Sequence, residues 1–189
     1  MLNKFFDKFI FTNGLRFVKD NFFLLKIPFV ICPNDLFVGF VARNDPELNK
    51  EIYYSTKLSM RQYFSKRINE EFELKGDKYL EFIQAFFSAS GWGKIELIDF
   101  ERENNRAIIS VENSPVANEL NGKVSFEVDH FIRGVLAAAF SEAYEINFDA
   151  VEIKCRARGE ERCEFIVKKS KDFSELKEQS MKQLRFNNE

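Results

Sequence analysis

The sequence predicts an α+β domain in which an antiparallel sheet of hairpins packs against helices. Three observations predict it. Apolar residues recur at helical spacing between Ile52 and Phe87, the period then shifts from 3.6 towards 2 after Gly91, and an Ala-rich helical stretch separates two alternating segments. The resulting order of helix, helix, hairpin, helix, hairpin is that of a sheet covered by helices. A chain of 189 residues suits one domain and buries about 70% of its unfolded surface.

Residues 1–11 carry Phe5, Phe6, Phe9 and Ile10 at helix-like spacing, which fits a helical turn or an arm that packs on a partner. Asn13-Gly14 and Lys19-Asp20-Asn21 are turn signals. Around them Leu15 to Val18 and Phe22 to Ile31 are rich in strand formers and predict a hairpin ended by Cys32-Pro33, with Pro28 placing the second strand at an edge. Asn34 or Asp35 can cap a helix starting at Leu36 and stopping near Arg43-Asn44. Residues 1–44 are therefore read as an arm, hairpin and short helix forming a dimer contact, and residues 45–189 as the main domain with a C-terminal helix.

Pro46 suits the first turn of a helix running to about Phe72, which Gly76-Asp77 breaks. Tyr79, Phe82, Ile83, Phe86 and Phe87 fall at i, i+3, i+4, i+7 and i+8 and predict an amphipathic helix ending at Gly91. Lys94 to Phe100 and Arg106 to Glu112 alternate as a hairpin, and the slip at Leu97-Ile98 predicts a bulge. Asn113-Ser114-Pro115 ends the second strand, and Asn118 to Ser125 reads as a loop. A helix over about Val128 to Tyr144 follows, then strands over Phe148 to Arg156 and Arg162 to Lys168, and a charged helix over Asp172 to Leu184.

Net charge is −2 from 28 basic and 30 acidic residues, with no Lys/Arg block to track phosphates, so nucleic acid is not the expected partner. Three cysteines and no apolar run behind a basic N-terminus argue against secretion, and the run from Phe22 to Cys32 is too short to span a bilayer. A soluble, cytoplasmic protein is expected. Phenylalanine is abundant, 23 residues against one tryptophan, which fits either a large apolar pocket or the codon bias of an AT-rich genome.

The chemistry concentrates between Asp129 and Val167, which holds the single histidine and two of the three cysteines. Cys155 and Cys163 lie eight apart across an expected turn, so their sulfurs can converge. Two thiolates suit zinc, and Glu152 with Asp129 or His130 can complete a closed, structural set of four. The plainer alternative is two buried apolar cysteines and a capping histidine. In a regular strand Glu152 and Cys155 face opposite ways, so joint ligation requires a bulge or bend near Cys155.

Phe131-Ile132-Arg133-Gly134, a small-residue helix, Glu152-x-x-Cys155 and Gly159-x-x-x-Cys163-x-Phe165 together resemble the 4-vinyl reductase domain family. The resemblance covers roughly Ile52 to Val167. It implies the NO-signalling/Golgi-transport-like ligand-binding fold, shared with TRAPP vesicle-tethering subunits and with the sensor domains of phenol-responsive transcription activators. In those sensors zinc is held by a cysteine five residues before the glycine matching Gly134 and by residues matching Glu152, Cys155 and Cys163. Here that first position is Asp129, with His130 beside it, and imidazole is the commoner zinc partner of thiolates. The implied metal set is His130, Glu152, Cys155 and Cys163, with Asp129 as the alternative to His130.

The resemblance also implies a pocket for a hydrophobic small molecule, an aromatic or fatty acyl compound. Its expected lining is Phe82, Phe86, Phe87, Phe131, Arg133, Gly134, Ala138 and Phe140, with Arg133 available to a ligand carboxylate. The main expectation is a zinc-stabilised, sensor-type binding domain that forms a homodimer and signals to another protein. The alternatives are a vinyl-reducing component acting on a tetrapyrrole with a partner's reductant, and a scaffold. No serine triad, P-loop or dinucleotide fingerprint is present to support catalysis.

Overall fold

The computed structural model describes residues 14–24, 27–175 and 177–185. The expected Phe-rich arm of residues 1–11 lies outside them. Two antiparallel sheets are present among the described residues, and the α+β expectation holds.

The first is a three-stranded ribbon of β1 (Leu15–Val18), β2 (Asn21–Leu24) and β3 (Ile27–Phe29), ordered β1-β2-β3. The expected second strand is thus two strands. Pro28 sits in β3, which pairs only with β2, so its missing N–H costs no ladder bond.

Helix α1 (Asp35–Val41) follows, with Asn34 before it. Asn34 does not cap the helix, because its side-chain amide instead donates to Pro115 O at 3.0 Å. Helix α2 (Pro46–Ser59) has Pro46 at its first position and is capped by Asp45, which accepts from Glu47 N and Leu48 N at 3.0 and 3.2 Å. The helix does not run unbroken to Phe72. A π turn over Met60–Ser65 widens it before α3 (Lys66–Phe72), and the buried Ser65 hydroxyl is 2.6 Å from Tyr79 OH on α4 (Gly76–Ala89).

The second sheet holds β4 (Lys94–Glu101), β5 (Arg106–Glu112), β6 (Phe148–Lys154) and β7 (Cys163–Lys169) in the order β4-β5-β7-β6. The register shift between Leu97 and Asp99 is the bulge that the broken alternation predicts. The segment after β5 is not all loop: Ser114 accepts from Ala117 N and Pro115 starts a short helix, α5 (Pro115–Glu119). β6 ends two residues earlier than expected, giving way to a 3-10 turn at Arg156–Arg158, and the C-terminal helix is a 3-10 segment followed by α7 (Lys177–Gln183).

Helix α6 (His130–Tyr144) is the centre of the core, lying between the sheet and α2 with residues 132–141 buried. Two features hold α2 against this core. Tyr53 OH and Lys57 Nζ reach the buried Asp149 carboxylate on β6 at 2.6 and 2.7 Å, and Gly134 allows the two helix backbones to touch. A Cβ at Gly134 would lie 2.7 Å from Tyr53 O and 2.7 Å from Thr56 Cβ. Gly134→Ala gains about 1 kcal/mol of helix propensity but drives a methyl into a carbonyl that cannot rotate away. The clash prevails, so we expect a loss of about 1–3 kcal/mol, and more for Gly134→Val, measured by urea unfolding. Among the described residues no helix is long and apolar enough to cross a membrane.

Candidate metal centre and apolar cavity

β6 and β7 bring the two cysteines together as the arms of one hairpin. A second register shift, between Glu152 and Lys154, turns β6 so that Glu152 and Cys155 face the same side; it supplies the bend that joint ligation requires. One ligand atom from each of Glu152, Cys155 and Cys163 lies within 4.8 Å of the others, and all three residues are buried. The cysteines are not disulfide-bonded, and Arg156 N donates to Cys163 Sγ at 3.3 Å across the turn.

His130 and Asp129 are not members of this group of three. Asp129 is tied to it: its N–H donates to Glu152 Oε2 at 3.1 Å, and its Oδ1 accepts from Ser114 Oγ at 2.7 Å. His130 faces the other way. Arg133 Nη1 donates to His130 Nδ1 at 3.1 Å, which leaves the imidazole proton on Nε2. Burial, reinforced by the Arg133 charge, pushes the His130 pKa down to about 3, so the ring is neutral.

The electrostatics of the cluster are unbalanced without a cation. Burial pushes the Asp129 carboxyl up, partly offset by the Ser114 hydroxyl and the neighbouring Cys163 thiol. Glu152 is raised well above the carboxylate range, by burial first and then by Cys155 and Asp129. The hydrogen bond between the two thiols lowers Cys155 and raises Cys163. Among the described residues Glu152 Oε1 and Asp129 Oδ2 are buried and lack a hydrogen-bond partner of ordinary geometry. Two thiols, a carboxylate and a second carboxylate alongside fit a divalent zinc, which would accept the unpaired lone pairs and let the thiols ionise.

Arg133 does not meet a pocket. It is fully buried, with Nε donating to Ala150 O at 3.1 Å and Nη2 to Gln183 O at 2.7 Å, and its guanidinium lies 4.3 Å from the Tyr53 ring centroid. All three of its nitrogens serve the protein, contrary to the expected role toward a ligand carboxylate.

The cavity lies on the other side of α6. A space of about 120 Å³ is lined by Phe131, Ile132 and Val135 of α6, Thr56 and Met60 from α2 and its π turn, Phe87 of α4, and Trp92 and Ile95 at the entry to β4. Of the expected lining, only Phe87 and Phe131 are there. Phe82 and Phe86 pack with Phe64 and Phe72, Phe140 packs on Phe100 and Phe148, and Gly134 and Ala138 are in helix contacts. Trp92 is the lining residue most readable in advance. It is the single tryptophan, between two glycines at φ 90° and 96°, and a Cβ on Gly93 would meet Glu112 O at 2.6 Å.

Residues 107–169 match the family model of the 4-vinyl reductase domain. The matched segment thus runs from β5 through β7 and takes in the metal cluster and α6. No curated protein sequence matches the chain. Among solved structures, the chain is similar to the phenol-responsive sensory domain of the transcription activator PoxR with phenol, at 13% identity and a TM-score of 0.67 over 92% of this chain and 93% of that one. It also matches a vinyl-4-reductase family protein from Methanocaldococcus jannaschii, at 21% identity and a TM-score of 0.48 over 75% and 83%. A third match is a trafficking protein particle complex subunit 3 from Naegleria fowleri covalently bound to palmitic acid, at 16% identity and 0.46 over 69% and 82%. The fold surrounding the matched segment is therefore that of the sensory domain.

Proposed function

We propose that this chain is a small-molecule-binding domain of the sensor type, in which zinc pins the β6–β7 hairpin and an apolar ligand occupies the cavity beside α6. The observation that carries this reading is the cavity's position and lining. It is walled by apolar side chains apart from Thr56, and Phe131 on its wall follows directly on Asp129 and His130. A ligand pressing on the first turn of α6 would therefore be felt at the Glu152, Cys155 and Cys163 cluster. The match to the 4-vinyl reductase domain and the likeness to a sensory domain agree with it.

The volume bounds the ligand. A cavity of roughly 150 Å³ holds one benzene ring, so the space of about 120 Å³ accepts a single ring or a short alkyl group. Toluene and indole are expected to raise the melting temperature of the protein, and Val135→Phe, which fills the space, is expected to abolish the rise while leaving the apo protein as stable as before. Equal upshifts in both proteins would overturn the assignment of the cavity.

Zinc would be held by Glu152, Cys155 and Cys163 with Asp129 as the fourth ligand, since His130 is committed to Arg133. The domain is proposed to act as a homodimer that passes its signal to a partner protein. Support for self-association comes from exposed apolar side chains at Phe17, Val18, Val30, Ile31, Leu36 and Phe40. Sedimentation at micromolar concentration tests it, and a strict monomer would remove it.

A further inference from the structure

A second space adjoins the closed cavity. An open groove of about 460 Å³ runs along the outer face of the α2–π turn–α3 helix, and Thr56 and Met60 belong to the walls of both. The two spaces differ in chemistry. The inner one is apolar apart from Thr56, whereas the outer one brings Ser55, Ser59, Tyr63 and Arg67 to its surface. Arg67 is exposed and has no carboxylate partner among the described residues.

Met60 stands where the two spaces meet. It is buried, unbranched and flexible, the kind of side chain that rearranges at low cost. It is also the first residue of the π turn, an insertion that loosens the helical ladder and is frequent at functional sites. The helix is anchored on either side of this point, by Gly134 against Tyr53 and by Ser65 against Tyr79, so movement of Met60 is local. From Met60 to Arg67 the helix advances about 10 Å, the length of a ring bearing a short alkyl acid.

We propose that the ligand is a monocarboxylate amphiphile: its apolar end fills the closed cavity, its chain passes Met60, and its carboxylate lies in the outer groove at Arg67. This deepens the reading of the cavity given above and rests on it. An arginine offers a planar donor pair to a carboxylate, and the open groove keeps the charged group in contact with water, so the anion is not stranded in a space without donors.

The test uses 4-phenylbutyrate, its neutral isostere 4-phenylbutan-1-ol, and toluene, titrated calorimetrically into the full chain and into Arg67→Glu. Arg67→Glu is expected to weaken 4-phenylbutyrate at least about fivefold, the scale of an exposed ion pair lost and reversed, while the alcohol and toluene change less than twofold. Raising the salt concentration should likewise weaken the acid alone. Met60→Ala, which joins the two spaces, is expected to speed association of both phenylbutyl probes. If toluene binds but the acid does not, or if acid and alcohol respond equally to Arg67→Glu, the amphiphile is wrong and the cavity stands. If none of the three binds the unaltered protein, the cavity reading falls and this proposal falls with it.

Discussion

Arg133→Met is expected to lower the unfolding free energy by about 2–4 kcal/mol. The methionine keeps the stem's apolar packing but leaves Ala150 O and Gln183 O without the donors they have now, and a buried carbonyl stripped of its partner costs about 1–3 kcal/mol. Part of this is offset, because the guanidinium no longer has to be held out of water. The loss should fall first on α7. Its Gln183 bonds both backbone groups of Glu152, at 2.9 Å from Glu152 N to Oε1 and 2.9 Å from Nε2 to Glu152 O, so the helix end acts as a further partner for β6. Arg133 fixes that arrangement from the other side. Hydrogen exchange should show residues 177–185 and the β6 amides losing protection ahead of β4 and β5. A variant within about 0.5 kcal/mol of the parent in urea would show that the three contacts contribute nothing.

Arg133 also marks the limit of what could be read in advance. A charged residue on a helix reads as solvated or ligand-facing unless its partners are known, and those partners come from β6 and α7, 17 and 50 residues away. The same holds for the cavity. Phe82, Phe86 and Phe140 have the right chemistry for a lining, but which face of a helix meets empty space depends on how α2 docks, and Gly134 settles that by letting Tyr53 and Thr56 approach. What was legible was local. Cys155 and Cys163 converge because a hairpin brings them together, and the bulge at Glu152 follows from the requirement that Glu152 and Cys155 share a face. The slip at Leu97-Ile98 was visible as broken alternation. Helix α5 carried a start signal in Ser114-Pro115 but, at five residues, was too short to show a period.

Removal of the proposed zinc is expected to have the larger effect, because its donors come from both arms of the hairpin and from the residue that opens α6. An ion bound with free metal at about 1,000 times its dissociation constant adds about 4 kcal/mol to the folded state. For a chain of this size that corresponds to a fall in melting temperature of roughly 8–16 °C on treatment with a strong chelator. Cys163→Ser should match the chelated protein and be insensitive to chelator, whereas Cys32→Ser, half-buried and remote in sequence from the cluster, should behave as the parent. The fourth ligand is decided by a pair of near-isosteric changes. Asp129→Asn is expected to weaken zinc by at least tenfold, because the amide surrenders the charge beside Cys163 while still able to accept from Ser114. His130→Gln is expected to leave one zinc per chain, since the imidazole is turned to Arg133. The reverse result would mean that the first turn of α6 rotates when the metal binds, which exchange at His130 and Arg133 would reveal. Protein purified from zinc-supplemented cells that holds no zinc and melts unchanged in chelator would dispose of the metal altogether. The hairpin would then owe its shape to the buried thiol pair and the bonds across the Arg156 turn.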